Sequence, residues 1–278
     1  MKLSEIKVCI LRIEGTNCED ETHAAFKETG TRPEKVHLKQ LMGTCPASMR
    51  RDLADYQVLA LPGGFSAGDY VRAGAIFAAR MKSALSSDLR RFVRAEKPVI
   101  GICNGFQILV ELGMLPAFDD VMAKEPQAAL ATNVSGRFEC TPTLLKHENR
   151  GKCVSTRKIP GGKTVMFPCA HAEGNLMLPA ERKDKLLERL EDNDQIVFRY
   201  VDPSGKSAGY PWNPNGSLRN IAGICNPEGN VFGLMPHPER VYRRFTHPDW
   251  TRTGDDPNGA GDGMAVFESI AEYVSKKF

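Results

Sequence analysis

An α/β fold built on a parallel sheet is predicted by two features of the chain. Through the first half, short continuous apolar runs alternate with segments of helical spacing. Strands buried on both faces read as unbroken apolar runs, and strands separated by helices pair in parallel with helices on both sides. After about residue 130 the pattern turns β-rich, which extends the sheet or starts another unit. We read 1–278 as one elaborated domain, with a motif-bearing core over about 7–242 and a loop and helix over 243–278.

The elements follow in order. Lys7-Val8-Cys9-Ile10-Leu11-Arg12-Ile13 reads as a strand, and Glu19 to Thr29 as a helix stopped by Gly30. Lys35 to Leu38, Val58 to Leu61 and Pro98 to Ile102 are further strands, with helical patterns between them. Later strands are Arg137 to Leu145, Lys163 to Pro168, Gln195 to Asp202, Ile221 to Cys225 and Val231 to Met235. The last two form a predicted hairpin, because Asn226-Pro227-Glu228-Gly229-Asn230 supplies turn residues and Gly229 accepts positive φ. Pro211 to Gly216 and Asp255 to Gly263 read as loops, and Met264 to Lys277 as a helix.

Composition narrows the classes of function. The 278 residues are 41% hydrophobic and 26% charged, ordinary for a folded chain long enough to bury a core. A formal charge of +3 is too small for a nucleic-acid binder with a basic stripe, and Arg90, Arg91 and Arg94 fit the solvated face of a helix. No run approaches the 18 to 20 apolar residues of a membrane span, and Met1 to Glu5 lacks a signal-peptide core, so a cytoplasmic protein is expected. The eight cysteines show no CxxC pair or zinc spacing, and most are expected to be buried, reduced thiols, with no metal.

One cysteine needs a chemical explanation. Val99-Ile100-Gly101-Ile102-Cys103-Asn104-Gly105-Phe106-Gln107 is a strand running into a cysteine with glycines two residues away on each side. That is a nucleophile-elbow pattern, in which a sharp strand-to-helix turn presents the nucleophile above the sheet. The following helix, read from Ile108 to Gly113, would direct its positive dipole end at the thiol and favour thiolate. A buried core cysteine beside two turn glycines remains the alternative.

A thiol nucleophile needs a base and the base an orienting acceptor. Pro236-His237-Pro238-Glu239 offers both, since residues i and i+2 of an extended backbone face the same side. His171-Ala172-Glu173 has the same spacing, and spacing does not separate the two. His23, His37, His147 and His247 have no such partner. Leu61-Pro62-Gly63-Gly64-Phe65-Ser66-Ala67-Gly68-Asp69-Tyr70 ends a strand in a glycine-rich loop that lacks the Gly-Lys-Ser/Thr of a phosphate loop. Its backbone amides suit an oxyanion hole on the carboxyl edge of the sheet.

Together GICNGFQ, LPGGFSAGDYVRAGAI and LMPHPER resemble the class I glutamine amidotransferases. HENRGKC, AHAEGN, DNDQIVFRYVD, YPWNPNGS and IAGICNPEGNVFGLMPHPER extend the likeness over most of 7–242, toward the branch serving purine biosynthesis. The resemblance implies a flavodoxin-like three-layer α/β/α sandwich, mainly parallel with an antiparallel extension. It implies Cys103 as nucleophile with His237 and Glu239, and an oxyanion hole of Gly63, Gly64 and the Asn104 amide. Gln107, His171, Ala172 and Glu173 become contacts for L-glutamine. Ala67 and Ala172 depart from the larger or more flexible residues expected there. ATP and Mg2+ are expected in a partner synthetase acting on formylglycinamide ribonucleotide, with a small adaptor subunit also compatible; this chain itself would hold no cofactor. The alternatives are service to another synthetase, or a non-catalytic redox or chaperone role that would not need the Pro-His-Pro-Glu segment.

Overall fold

The computed structural model describes residues 1–252, 254 and 256–278. The first half forms β1 (Lys7–Arg12), α1 (Glu19–Glu28), β2 (Arg32–His37), α2 (Leu38–Leu41), β3 (Val58–Leu61), α3 (Ala75–Arg94), β4 (Val99–Ile102) and α4 (Asn104–Glu111). The second half adds β5 (Ala129–Thr132), β6 (Glu139–His147), β7 (Thr164–His171), β8 (Glu173–Met177) and α5 (Lys183–Asp192). It ends with β9 (Ile196–Val201), β10 (Ile221–Cys225), β11 (Val231–Leu234) and α6 (Met264–Lys277).

Nine strands make one sheet in the order β2-β1-β3-β4-β11-β10-β9-β6-β7, while β5 and β8 pair separately. β2, β1, β3, β4 and β11 are parallel. β10, β9, β6 and β7 continue the sheet antiparallel. Strands from both halves of the chain therefore share one hydrogen-bonded sheet, and β10 and β11 form the predicted hairpin, with Gly229 at φ 80°.

Burial explains the arrangement. β3, β4 and β11 are buried at every residue, so helices cover both faces. α1 and α6 pack together through Phe26 and Phe267, edge to face at 5.0 Å between ring centroids. α4 lies against β4 and β11, where a methyl group on Gly233 would come within 2.2 Å of the Phe106 ring. α3 buries Phe77, Met81, Leu85, Leu89 and Phe92, one stripe at helical spacing. Arg91 and Arg94 on its other side are 72% and 65% exposed, the solvated face expected from the sequence, whereas Arg90, expected with them, is half-buried and bonded to Asp120 and the Met122 carbonyl.

Several expected limits shift for physical reasons. β2 starts at Arg32 rather than Lys35, because its pairing with β1 runs from Lys7 opposite Arg32 to Arg12 opposite His37. It is an edge strand, so Pro33 is tolerated and outward polar residues hide its periodicity. Leu38 belongs instead to α2, whose N-terminus is capped by the His37 side chain. β7 passes Pro168 and continues to His171 on the opposite edge of the sheet. β5, β8 and α5 lay outside the sequence reading, although Leu186, Leu187 and Leu190 mark the buried face of α5. The loop expected over 255–263 holds for 256–263; Asp255 lies outside the described residues.

Candidate active site

Cys103 stands between β4 and α4 with φ 52° and ψ −107°, a conformation that L-residues rarely adopt. The turn is that sharp because strand and helix nearly touch. A methyl group on Gly105 would lie 1.9 Å from the Leu61 carbonyl oxygen, and one on Gly101 would lie 2.5 Å from the Gly105 carbonyl oxygen. Both glycines of the G-x-C-x-G pattern are thus required by close approach. The Cys103 N–H is anchored on the Leu234 carbonyl at 2.8 Å, which ties the elbow to β11. α4 starts at Asn104, four residues before the Ile108 expected from the sequence.

β11 leads directly to the base. His237 Nδ1 and Glu239 Oε1 are 2.6 Å apart, and both side chains are buried. The two do not share a side of an extended strand, as the spacing suggested. Pro238–Arg240 is a 3-10 turn, and the tight turn swings Glu239 back onto the imidazole. The His237 N–H is held by the Pro168 carbonyl of β7 at 2.8 Å, so the β7 edge and β11 converge here. A methyl group on Gly63 would sit 2.7 Å from His237 Cε1 and 3.4 Å from Cys103 Cβ. Cysteine and histidine therefore flank one point at the end of β3.

The other His-x-Glu segment lies in the same neighbourhood with a different construction. His171 Nδ1 pairs with Asn133 Oδ1 at 3.2 Å rather than with Glu173. Burial, then the nearby His237, pulls its pKa down to about 4, so the ring is neutral at pH 7. Glu173 accepts the Ala73 N–H through Oε2 at 3.1 Å, and its carbonyl accepts from Gln107 Nε2 at 2.5 Å. Gln107 is held in turn by Asn104 Nδ2 at 3.0 Å.

These residues enclose a cavity of about 50 Å³ lined by Gly64, Phe65, Asp69, Ala73, Cys103, Gln107, Ala170, His171, Ala172 and Glu173. That space holds a water or two. The cavity opens partly to solvent, and Phe65, Asp69 and Ala73 form one of its walls. Asp69 and Glu173 bring two carboxylates to this cavity. Burial, then Glu173, pushes Asp69 up to about 6, against hydrogen bonds from the Gly74 amide and Asn104. A small zwitterion with a cationic head complements this pair. Phe65 and Asp69 lie in the glycine-rich loop expected at the site, though not as walls of a cavity; Ala73 and Asn133 carry no signal in the sequence.

The amides of the glycine-rich loop divide unequally. Phe65 N–H donates to Gly15 O, Ala67 N–H to Glu14 O, Gly68 N–H to Phe65 O and Ser66 N–H to Asn104 Oδ1. The 65–68 amides are therefore committed to holding the loop. Those of Gly63 and Gly64 make no hydrogen bond among the described residues. The Asn104 N–H interacts with the Cys103 sulfur. Loop 14–18, beyond β1, clasps this region: Asn17 and Cys18 N–H both bond Gly63 O, at 3.4 and 3.1 Å.

The expected thiolate bias at the helix terminus is reversed. Burial, with Cys18 and Glu239 adding to it, pushes the Cys103 thiol well up; the Asn104 N–H and Arg240 pull the other way and lose. Desolvation outweighs a half-charge at one helix end here. A thiol of this kind reacts when a base takes its proton as it attacks. The Sγ contacts the Ala170 carbonyl at 3.6 Å, and His237 Nε2 is buried with no hydrogen-bond partner among the described residues.

An elbow cysteine, a His-Glu pair and free glycine amides at the carboxyl ends of parallel strands are the equipment of an amide-cleaving thiol enzyme. The chain belongs to the CobB/CobQ-like glutamine amidotransferase domain family, whose profile matches residues 5–274. It is 54% identical over 279 residues to phosphoribosylformylglycinamidine synthase subunit PurQ of Archaeoglobus fulgidus, covering 99% of this chain and 100% of that one. The subunit of that name from Picrophilus torridus is 44% identical, over 91% and 94% of the two chains. Among solved structures, a chain of PurLQS from Thermotoga maritima superposes with a TM-score of 0.69 at 31% identity, covering 97% of this chain and 99% of that one.

Proposed function

We propose that this chain is the glutaminase subunit of a phosphoribosylformylglycinamidine synthase in purine biosynthesis, releasing ammonia from L-glutamine for a synthetase partner. The observation that carries the chemistry is the buried His237–Glu239 pair, 2.6 Å apart, set against Cys103 at the end of β3. The substrate and partner follow from the names of relatives matched along nearly the whole chain.

Each group has one task. His237 takes the Cys103 proton as the sulfur attacks the glutamine carboxamide carbon, while Glu239 holds the imidazole and stabilises its charged form. The oxyanion falls to the amides of Gly63, Gly64 and Asn104. His237 then protonates the departing ammonia, leaving a glutamyl thioester that water hydrolyses with His237 again as base. Asp69 and Glu173 attract the α-ammonium, and Gln107, His171 and Ala172 shape the remaining wall.

The partner synthetase acts on formylglycinamide ribonucleotide with ATP and Mg2+, and a small third subunit completes the assembly, by analogy with PurLQS of Thermotoga maritima. This chain is read as one amidotransferase domain over 1–278, supported by the sheet shared between its halves. No helix among the described residues is long and apolar enough to cross a membrane, and the purine reading places the protein in the cytoplasm. Cys103→Ala in the reconstituted enzyme tests the assignment. Glutamine-dependent synthesis is expected to vanish while ammonium-dependent synthesis persists; retained glutamine-dependent turnover would remove the assignment.

A further inference from the structure

A second thiol lies against the triad, and the reaction has no use for it. Cys18 Sγ, a ring nitrogen of His237 and a carboxylate oxygen of Glu239 all lie within 4.8 Å of one another, in three buried residues. Cys18 is fixed from the backbone by its N–H to Gly63 O at 3.1 Å. Its sulfur lies 3.3 Å from where a Gly63 methyl would be, with Cys103 Cβ at 3.4 Å from the same point. One polar atom of the cluster, Glu239 Oε2, is enclosed without a hydrogen-bond partner among the described residues; His237 Nε2, likewise unpartnered, is the atom that takes the Cys103 proton. Native interiors seldom leave such atoms orphaned without a ligand, water or chemical role.

We propose that Cys18, His237 and Glu239 form an inhibitory binding site for a thiophilic divalent cation, with Zn2+ as the representative ion. A thiolate, an imidazole and a carboxylate are the zinc donor set, and three protein ligands leave one position open. Mg2+ takes oxygen ligands in a strict octahedron, so the ion used by the synthetase is rejected. On binding, the Cys18 S–H proton leaves to solvent, an S–Zn bond forms, and no electron changes hands. Glu239 enters as carboxylate. Nδ1 coordinates: its hydrogen bond to Glu239 Oε1 breaks and its proton passes to Nε2. His237 then no longer accepts the Cys103 proton, and glutamine hydrolysis stops.

Arg240 decides what kind of metal site this is. Its guanidinium donates to Cys18 Sγ at 3.3 Å. The same positive charge repels a cation, giving a reversible inhibitory site rather than a structural one. Only the inhibitory consequence rests on the glutaminase reading; the binding site does not.

The experiment titrates the purified, metal-free full chain with Co2+ and with chelator-buffered Zn2+. One equivalent of Co2+ is expected to give a thiolate-to-cobalt charge-transfer band, and Zn2+ to inhibit glutamine hydrolysis where Mg2+ does not. Cys18→Ser is expected to abolish the band, retain uninhibited turnover and raise the half-inhibiting Zn2+ concentration by about tenfold or more. Cys103→Ala is expected to keep the band, which covers the case of a Cys18→Ser chain that does not fold. The doubly substituted Cys45→Ser, Cys140→Ser chain, lacking the more exposed thiols, is expected to keep both band and inhibition. A band that survives Cys18→Ser or disappears with Cys103→Ala overturns the proposal, as does one lost with the exposed thiols. If the chain hydrolyses no glutamine at all, the function fails while the cobalt band still decides the site.

Discussion

At the level of single residues, the two His-x-Glu segments separate by what each imidazole is bonded to. His237 is paired with a carboxylate that can stabilise its cation, whereas His171 is paired with the neutral side chain of Asn133 and held deprotonated by burial. His237→Ala is therefore expected to lower kcat for glutamine hydrolysis by about 10²-fold or more. His171→Ala is expected to act mainly on KM, since loss of uniform binding raises KM without touching the transition state. Steady-state kinetics on the two variants checks both, and the reverse pattern would exchange their roles. Asp69 adds a pH dependence with a definite sign. Its carboxyl sits near 6 because burial and Glu173 disfavour the charge, so it is ionised at pH 7.5 and neutral well below 6. Attraction for the α-ammonium is then lost, and KM is expected to rise as the pH falls through about 6. Asp69→Asn is expected to raise KM at pH 7.5 and flatten that rise; an unchanged profile would remove Asp69 from substrate binding.

At the level of elements, the elbow shows what was readable in the sequence and what was not. Gly101 and Gly105 were legible because close packing leaves only glycine at both places, and one-dimensional spacing records that constraint. Gly105→Ala is expected to cost about 3 kcal/mol or more, the upper part of the usual overpacking range, since its methyl would meet the Leu61 carbonyl. Gly161→Ala, at a site with nothing within 4 Å, is the control and is expected to change little. Urea unfolding of the two variants measures the difference. The buried strands of the parallel half were equally plain, because their environment is apolar on both faces. Edge strand β2 was shortened and β7 cut at Pro168, since an edge carries polar residues and prolines that a central strand excludes. The triad residues were visible as motifs, but the reason for pairing His237 with Glu239 was misread, because a 3-10 turn and a strand both allow an i, i+2 contact. The thiol's electrostatics were illegible for another reason. Desolvation depends on everything packed around Cys103, including Cys18 from a loop 85 positions away, and no local window contains it.

At the scale of the molecule, the structure places Cys103 and the His237–Glu239 pair beside a small cavity that is partly open to solvent. About 50 Å³ lies beside Cys103, with Phe65, Asp69 and Ala73 of the 65–73 segment, its cover, on one wall and 170–173 on another. That segment has three consecutive residues at positive φ, Ala67, Gly68 and Asp69, two of them non-glycine. Such residues cost of order 1 kcal/mol each and persist where surroundings enforce them. Here the enforcing contacts are the 65–68 amides bonded to Glu14, Gly15 and Asn104. The 65–68 amides, expected from the sequence to suit an oxyanion hole, are therefore committed elsewhere, and the segment is expected to act as a gate by covering or uncovering the cavity beside Gly63 and Gly64. Tyr70 and Val71, 75% and 87% exposed, project from this cover and are the contacts through which docking is expected to act on it. Free ammonia made without a partner would be lost as ammonium, so coupling cover movement to docking saves glutamine. The isolated chain is accordingly expected to hydrolyse glutamine slowly and to be activated by the synthetase, most strongly when that subunit holds nucleotide and ribonucleotide. Because opening admits substrate and sets the neighbouring oxyanion donors, activation should appear in both KM and kcat, with kcat rising by roughly 10²-fold, the value of one aligned donor. The measurement is glutaminase kinetics on the purified chain, alone and titrated with synthetase, beside a Tyr70→Ala, Val71→Ala chain expected to keep its basal rate and lose most of the activation. Full kcat in the isolated chain, unchanged at saturating synthetase, would show that the cover opens by itself.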